Sequence, residues 1–97
     1  MFVNKDFTKD EVISIKMING DELIAQFQKE SADEIVIRNP VVLTMGSNGA
    51  IGMIPWCLLS ERKEHPIKKS QTFIIAKTKK DACEQYLENA INMEIRI

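Results

Sequence analysis

Between Val12 and Leu43 three apolar-polar alternating runs are separated by turn residues, and that pattern leaves a short chain few ways to fold. Ile13, Ile15 and Met17 alternate with Ser14 and Lys16, as a strand with one buried face requires. Asn19-Gly20-Asp21 then interrupts the run, and Asn-Gly is a strong hairpin signal because both residues tolerate positive φ. Leu23, Ala25 and Phe27 form the core face of the returning strand, with Ile24, Gln26 and Gln28 on a wetter face. A second turn is expected at Ser31-Ala32-Asp33, after which Ile35 and Ile37 resume the alternation and Val41, Val42 and Leu43 continue it. Asn39-Pro40 marks a bulge or bend, since proline has no ladder donor and restricts the residue before it.

The order of these motifs resembles the first motif of the Sm/LSm and Hfq RNA-binding barrels, with Asn-Gly at the hairpin, a bent middle strand, a short polar turn and an apolar strand ending in Asn. The separation of Asn19-Gly20 from Asn39 is similar to that of the corresponding motifs in Hfq. Met17 to Ile97, with NPVVL, Ser47-Asn48-Gly49, Pro55-Trp56 and a C-terminal helix containing Glu84 and Tyr86, resembles short Sm-like proteins of marine T4-like cyanophages. The fold expected is mainly β, a five-stranded, strongly bent antiparallel small barrel with a C-terminal α-helix.

One domain is expected over residues 1–97, divided into an N-terminal arm (1–11), a barrel (12–77) and a C-terminal helix and tail (78–97). Thr8-Lys9-Asp10-Glu11 fits a capping box, but no apolar helical stripe follows, so the arm reads as irregular with at most one helical turn. Gly46 to Gly49 is a turn, and Ala50 to Leu59 reads as a fourth strand with Ile51 and Met53 on one face and Ile54, Trp56 and Leu58 on the other. Pro55 implies a bend or an edge there. Ser60 to Gln71 reads as a polar loop and Thr72 to Ala76 as a fifth strand. Thr78 is the expected cap of a helix that runs to Asn92, with Ala82, Tyr86 and Ala90 on one stripe and Cys83, Leu87 and Ile91 beside it. Met93 to Ile97 then alternates like an extended segment.

Composition narrows the function. Cys57 and Cys83 lack metal-site spacing and are expected as two buried thiols. His65 stands alone in a charged loop, which points to a surface role rather than a metal ligand, and neither a nucleophile elbow nor a phosphate-cradling glycine loop is present. The acidic pairs Asp21-Glu22 and Asp33-Glu34 fall at turns. An enzyme is therefore not expected, nor a cofactor. No apolar run reaches the length of a membrane span and the first residues lack a signal-peptide pattern, so a cytoplasmic protein is expected, in the host bacterial cytoplasm if phage-encoded.

Net charge is −1, but residues 61–80 carry seven Lys/Arg against two Asp/Glu while the segments on either side are each −3. That asymmetry fits either a surface aimed at a polyanion or a solvated lysine-rich loop. The resemblance implies a head-to-tail homo-oligomeric ring of about five to seven subunits, in which the fourth strand of one subunit pairs with the fifth of the next. Ile51, Met53, Ile54, Trp56, Phe73 and Ile75 are the expected interface, with Trp56 either core, interface or a nucleobase platform. Nucleic-acid contacts are expected from Arg62, Lys63, Lys68, Lys69, Lys77, Lys79 and Lys80, with Ser31 and Asp33 at the positions of the family's base-holding turn. Such contacts would address phosphates more than bases. Two functions remain open: a ring that binds RNA or single-stranded DNA, and a protein-interaction scaffold ring. A monomeric barrel of another small-barrel family is a third reading.

Overall fold

The structure is a computed structural model that describes residues 7–57 and 60–96, with side chains as far as Asn89. It is mainly β. Among the described residues six antiparallel strands form one sheet: β1 (Val12–Met17), β2 (Glu22–Glu30), β3 (Glu34–Met45), β4 (Ile51–Pro55), β5 (Glu64–Lys68) and β6 (Thr72–Lys77), followed by one helix, α1 (Lys80–Arg96). The strand order is β4-β3-β2-β1-β6, and β5 also pairs with β3.

The expected hairpins are present. At the first, Gly20 takes a φ of +100° and Asn19 does not share the left-handed conformation; its Oδ1 accepts instead from the Asp21 amide at 2.9 Å. At the second, the Glu34 amide donates to the Ser31 hydroxyl at 3.2 Å. Between them β3 bends at Asn39, whose φ is +51°, with Asn39 and Pro40 opposing the single residue Ala25 of β2 as a β-bulge. A second bulge places Gln28 as the extra residue on β2.

The bend divides the outer edge of β3 between two partners. Val41 to Met45 pairs with β4 and Glu34 to Arg38 pairs with β5. With Val41 opposite Pro55, an unbroken strand would put position 58 opposite Arg38; Glu64 stands there, so six residues are looped out of one strand position. The expected polar loop Ser60 to Gln71 thus contains a strand and a one-turn 3-10 helix (Lys69–Gln71). Only Ile67 of that strand is buried, which leaves no alternation to read, and the strand forms because the first half of β3 would otherwise lack an outer ladder partner. The expected fourth strand ends at Pro55, with Trp56 and Cys57 in a turn and Leu58 and Leu59 outside the described residues.

Closure into a five-stranded barrel is not observed. Among the described residues β6 pairs only with β1, and β4 and β5 pair only with β3, so the bent sheet keeps two open sides. Its concave face buries Ile13, Ile15, Leu23, Phe27, Ile35 and Ile37 with Ile67 of β5, and Val42, Trp56 and Ile75 pack against them. The other face is covered as well. Val12, Ile24 and Val41 bury against Tyr86 of α1, with Ala82 and Cys83 alongside. The wetter face expected of β2 is therefore dry at Ile24, because the helix lies on it, and at Gln28, whose amide Nε2 donates to Asp10 Oδ1 and Phe27 O at 3.0 Å each.

Several local expectations change. Thr8 to Glu11 forms a turn, with the Thr8 amide donating to Glu11 Oε1 at 2.9 Å, which realises one arm of the capping box without a helix; residues 1–6 of the expected arm lie outside the described residues. Thr78 does not cap α1, since its hydroxyl bonds to Ser14 Oγ at 2.8 Å and the helix begins at Lys80. The helix also runs past Asn92 to Arg96, where an extended tail was expected, because Asn is only a weak stop and no glycine or proline follows it. The stripe through Ala82 and Tyr86 faces the sheet, whereas Leu87 is exposed; the side chains of Ala90 and Ile91 lie outside the described residues. Cys57 and Cys83 are free, and both are half-buried rather than buried.

Tyr86 is fully buried, and its hydroxyl donates to Asn39 O at 2.7 Å, at the bend of β3. Tyr86→Phe keeps the ring and removes that bond, so urea denaturation should show a loss of about 1–2 kcal/mol with an unchanged slope. A variant as stable as the wild type would mean that the bend does not depend on the hydroxyl.

Candidate nucleic-acid interface

A concavity lies where the β2–β3 turn meets the junction of β5 with the 3-10 helix. It is an open cleft of about 440 Å³ lined by Ser31, Asp33, Glu34, Lys68, Lys69 and Ser70. Two backbone features build it. Glu34 pairs with Lys68 in the β3–β5 ladder, and the Lys69 amide donates to Asp33 O at 2.8 Å. Residues more than thirty positions apart, Ser31 and Asp33 from one turn and Lys68 and Lys69 from another segment, therefore share one site.

Its electrostatics are mixed. Lys69 Nζ lies 2.7 Å from Glu30 Oε2 with both side chains mostly shielded from solvent, so that ammonium is already engaged. Asp33 and Glu34 add carboxylates to the lining, and among the described residues exposed Lys68 makes no ion pair.

The other basic residues are elsewhere. Lys77 stands at the far end of β6 from Thr72, about 17 Å away at roughly 3.3 Å per residue, and contacts Glu11 at 3.6 Å. Lys79 and Lys80 follow it at the start of α1, with Lys79 beside a smaller apolar groove between the helix and β4. Arg62 and Lys63 precede β5, at the end opposite Lys68. The basic stretch is thus split into three places within one subunit.

The expected interface residues also divide. Ile51, Ile54 and Phe73 are 52%, 51% and 71% exposed on the strands that bound the open sides. Met53, Trp56 and Ile75 instead pack, partly buried, against the two internal clusters, Trp56 and Ile75 against the concave one and Met53 against the one under the helix. Sequence reasoning missed Ile74, which is 61% exposed. The cause is a bulge: Phe73 and Ile74 both oppose Lys16, so two adjacent bulky residues are turned outward where alternation would bury one.

Among the described residues no three His, Cys, Asp or Glu side chains are grouped to hold a metal ion, and no helix is long and apolar enough to cross a membrane. His65 is half-buried on β5, and burial together with the nearby Arg62 guanidinium holds it below the ordinary histidine value of 6.5, partly offset by a hydrogen bond with the Arg62 backbone. The folded chain therefore favours the neutral ring. Its contribution to stability is full above pH 6.5 and declines as the pH falls below that value toward the lowered folded one. Urea midpoints at about pH 7.5 and about pH 5.5 should show this decline, and His65→Gln should reduce it.

In comparisons with known proteins, the chain matches no protein-family model and no curated protein.

Proposed function

We propose that the chain is an Sm-like, non-catalytic subunit that assembles head to tail into a closed ring of about five to seven copies and holds single-stranded nucleic acid at the repeated cleft. The observation that carries this reading is the convergence of Ser31 and Asp33 with Lys68 and Lys69, the turn and basic segment that the resemblance pairs in RNA binding. The apolar residues on the open sides of the sheet support assembly, because an unpaired, exposed apolar edge invites pairing with another chain. Repetition around a ring would gather what a single subunit scatters. A phage-encoded copy would serve RNA or single-stranded DNA metabolism in the host cytoplasm.

A second reading, a scaffold ring that meets a protein partner without nucleic acid, is favoured by the carboxylates in the cleft and by the Lys69–Glu30 ion pair. The two readings differ in salt dependence. If each subunit contributes one lysine to one phosphate, a ring of this size has a log–log slope of binding against salt of about −3.5 to −5, at roughly −0.7 per phosphate on a single strand.

Light scattering should give a multiple of the chain mass, and fluorescent poly-U and poly-A RNA should bind with that salt slope. Lys68→Glu with Lys69→Glu should abolish binding while leaving the mass unchanged. Glu30→Gln, which frees Lys69, should tighten it. A ring that binds neither RNA at low salt would favour the scaffold, and a monomer would end the ring reading.

A further inference from the structure

The hydrogen bonds of the two open edges determine how a second copy can join them. In β4, Trp56 N–H donates to Pro40 O at 3.0 Å and Gly46 N–H donates to Ala50 O at 2.8 Å, which fixes the phase of the β3–β4 ladder. Gly52 and Ile54 turn their backbone groups toward β3, while Ile51, Met53 and Pro55 turn theirs to the open side. Proline has no amide hydrogen, so the usable donors there belong to Ile51 and Met53.

The same reasoning applies to β6. Thr78 N–H donates to Val12 O at 3.4 Å and Ile18 N–H to Gln71 O at 3.0 Å, on either side of the Phe73 bulge. Ile74 and Ala76 therefore face β1, and Ile75 and Lys77 face outward. Each edge offers two adjacent outward residues with a donor and an acceptor apiece; the Ile51 carbonyl also accepts from Gln85 Nε2 of α1 at 3.4 Å and keeps a second lone pair for a ladder bond.

We propose that these edges pair between copies in a single antiparallel register, Met53 of one copy facing Ile75 of the next and Ile51 facing Lys77, an inference that rests on the ring reading above. This register satisfies all four outward donors and sets Pro55, which lacks one, against the Phe73 bulge, where the ladder is already interrupted. Moving the strands two residues one way places Met53 against the bulge; moving them the other way places Ile75 against Pro55 and leaves its carbonyl without a donor.

Side chains agree with it. On one face, exposed Ile54 meets exposed Ile74 and Gly52 meets Ala76. On the other, Lys77 comes beside Ile51, which shares an apolar groove with Asp81 and Gln85 at the start of α1. The Lys77 ammonium is thereby brought toward a carboxylate of the adjoining copy, and it is free to turn because its 3.6 Å contact with Glu11 leaves it largely exposed.

Ile54 and Ile74 form a non-hydrogen-bonded pair in this register, with Cα atoms about 4.5 Å apart, a separation a disulfide can span. In a Cys57→Ser/Cys83→Ser background whose circular dichroism matches the wild type, mild oxidation of Ile54→Cys/Ile74→Cys should replace the monomer band with a covalent ladder. Ile54→Cys/Ala76→Cys and Ile54→Cys/Thr72→Cys, which report the two shifted registers, should stay monomeric on the same gel. Independently of any cysteine, Lys77→Glu should lower the mass measured on dilution and Asp81→Lys added to it should restore that mass. An oligomer by light scattering that cross-links through Ala76 or Thr72 would overturn the register and leave the ring standing. A monomer by light scattering would overturn both.

Discussion

The Tyr86 hydroxyl bond to Asn39 O ties the helix to the one place where the sheet changes direction. Asn39 has left-handed backbone and the following residue is a proline, so the ladder between β2 and β3 is interrupted there and the carbonyls around the bend need other donors. Tyr86 supplies one from a fully buried ring. The same ring fills the space over Ile24 and Val41, so a single side chain both satisfies the bend and closes the outer core. Gln26 joins from the neighbouring strand, its Oε1 accepting from Asn39 Nδ2 at 3.2 Å.

Much of the remaining architecture follows from that bend. Because β3 turns, its outer edge points in two directions and accepts β4 on one half and β5 on the other. The split pulls the Ser60 to Gln71 region back onto the sheet and delivers Lys68 and Lys69 to the Ser31–Asp33 turn. The bulges at Gln28 and Phe73 perform related local work. The first turns an amide inward to meet Asp10, and the second turns two bulky residues out along an open edge.

Charge illustrates the limit of linear reading. Residues 61–80 are strongly basic as a string, yet β5, the 3-10 turn and β6 carry their lysines to different ends of the sheet, and Glu30 and Glu11 engage two of them. A field strong enough to hold a polyanion would come from repeating one exposed lysine around a symmetric assembly.

Five of the six described strands, both hairpins, the position of the bend and the helix stripe through Ala82 and Tyr86 were legible in the sequence alone, because period two, β-branched and aromatic runs, Asn-Gly, Asn-Pro and period 3.6 are local signals with local physical causes. Ser31, Asp33, Lys68 and Lys69 could be named, but their meeting in one cleft could not. Only the tertiary structure decided that β5 is a strand, since one buried isoleucine carries no period and the strand exists to pair with β3. It decided too that Ile24 is dry, that half-buried Trp56 packs against the core and that Ile74 is exposed, for each depends on what packs against the residue rather than on its neighbours in the chain.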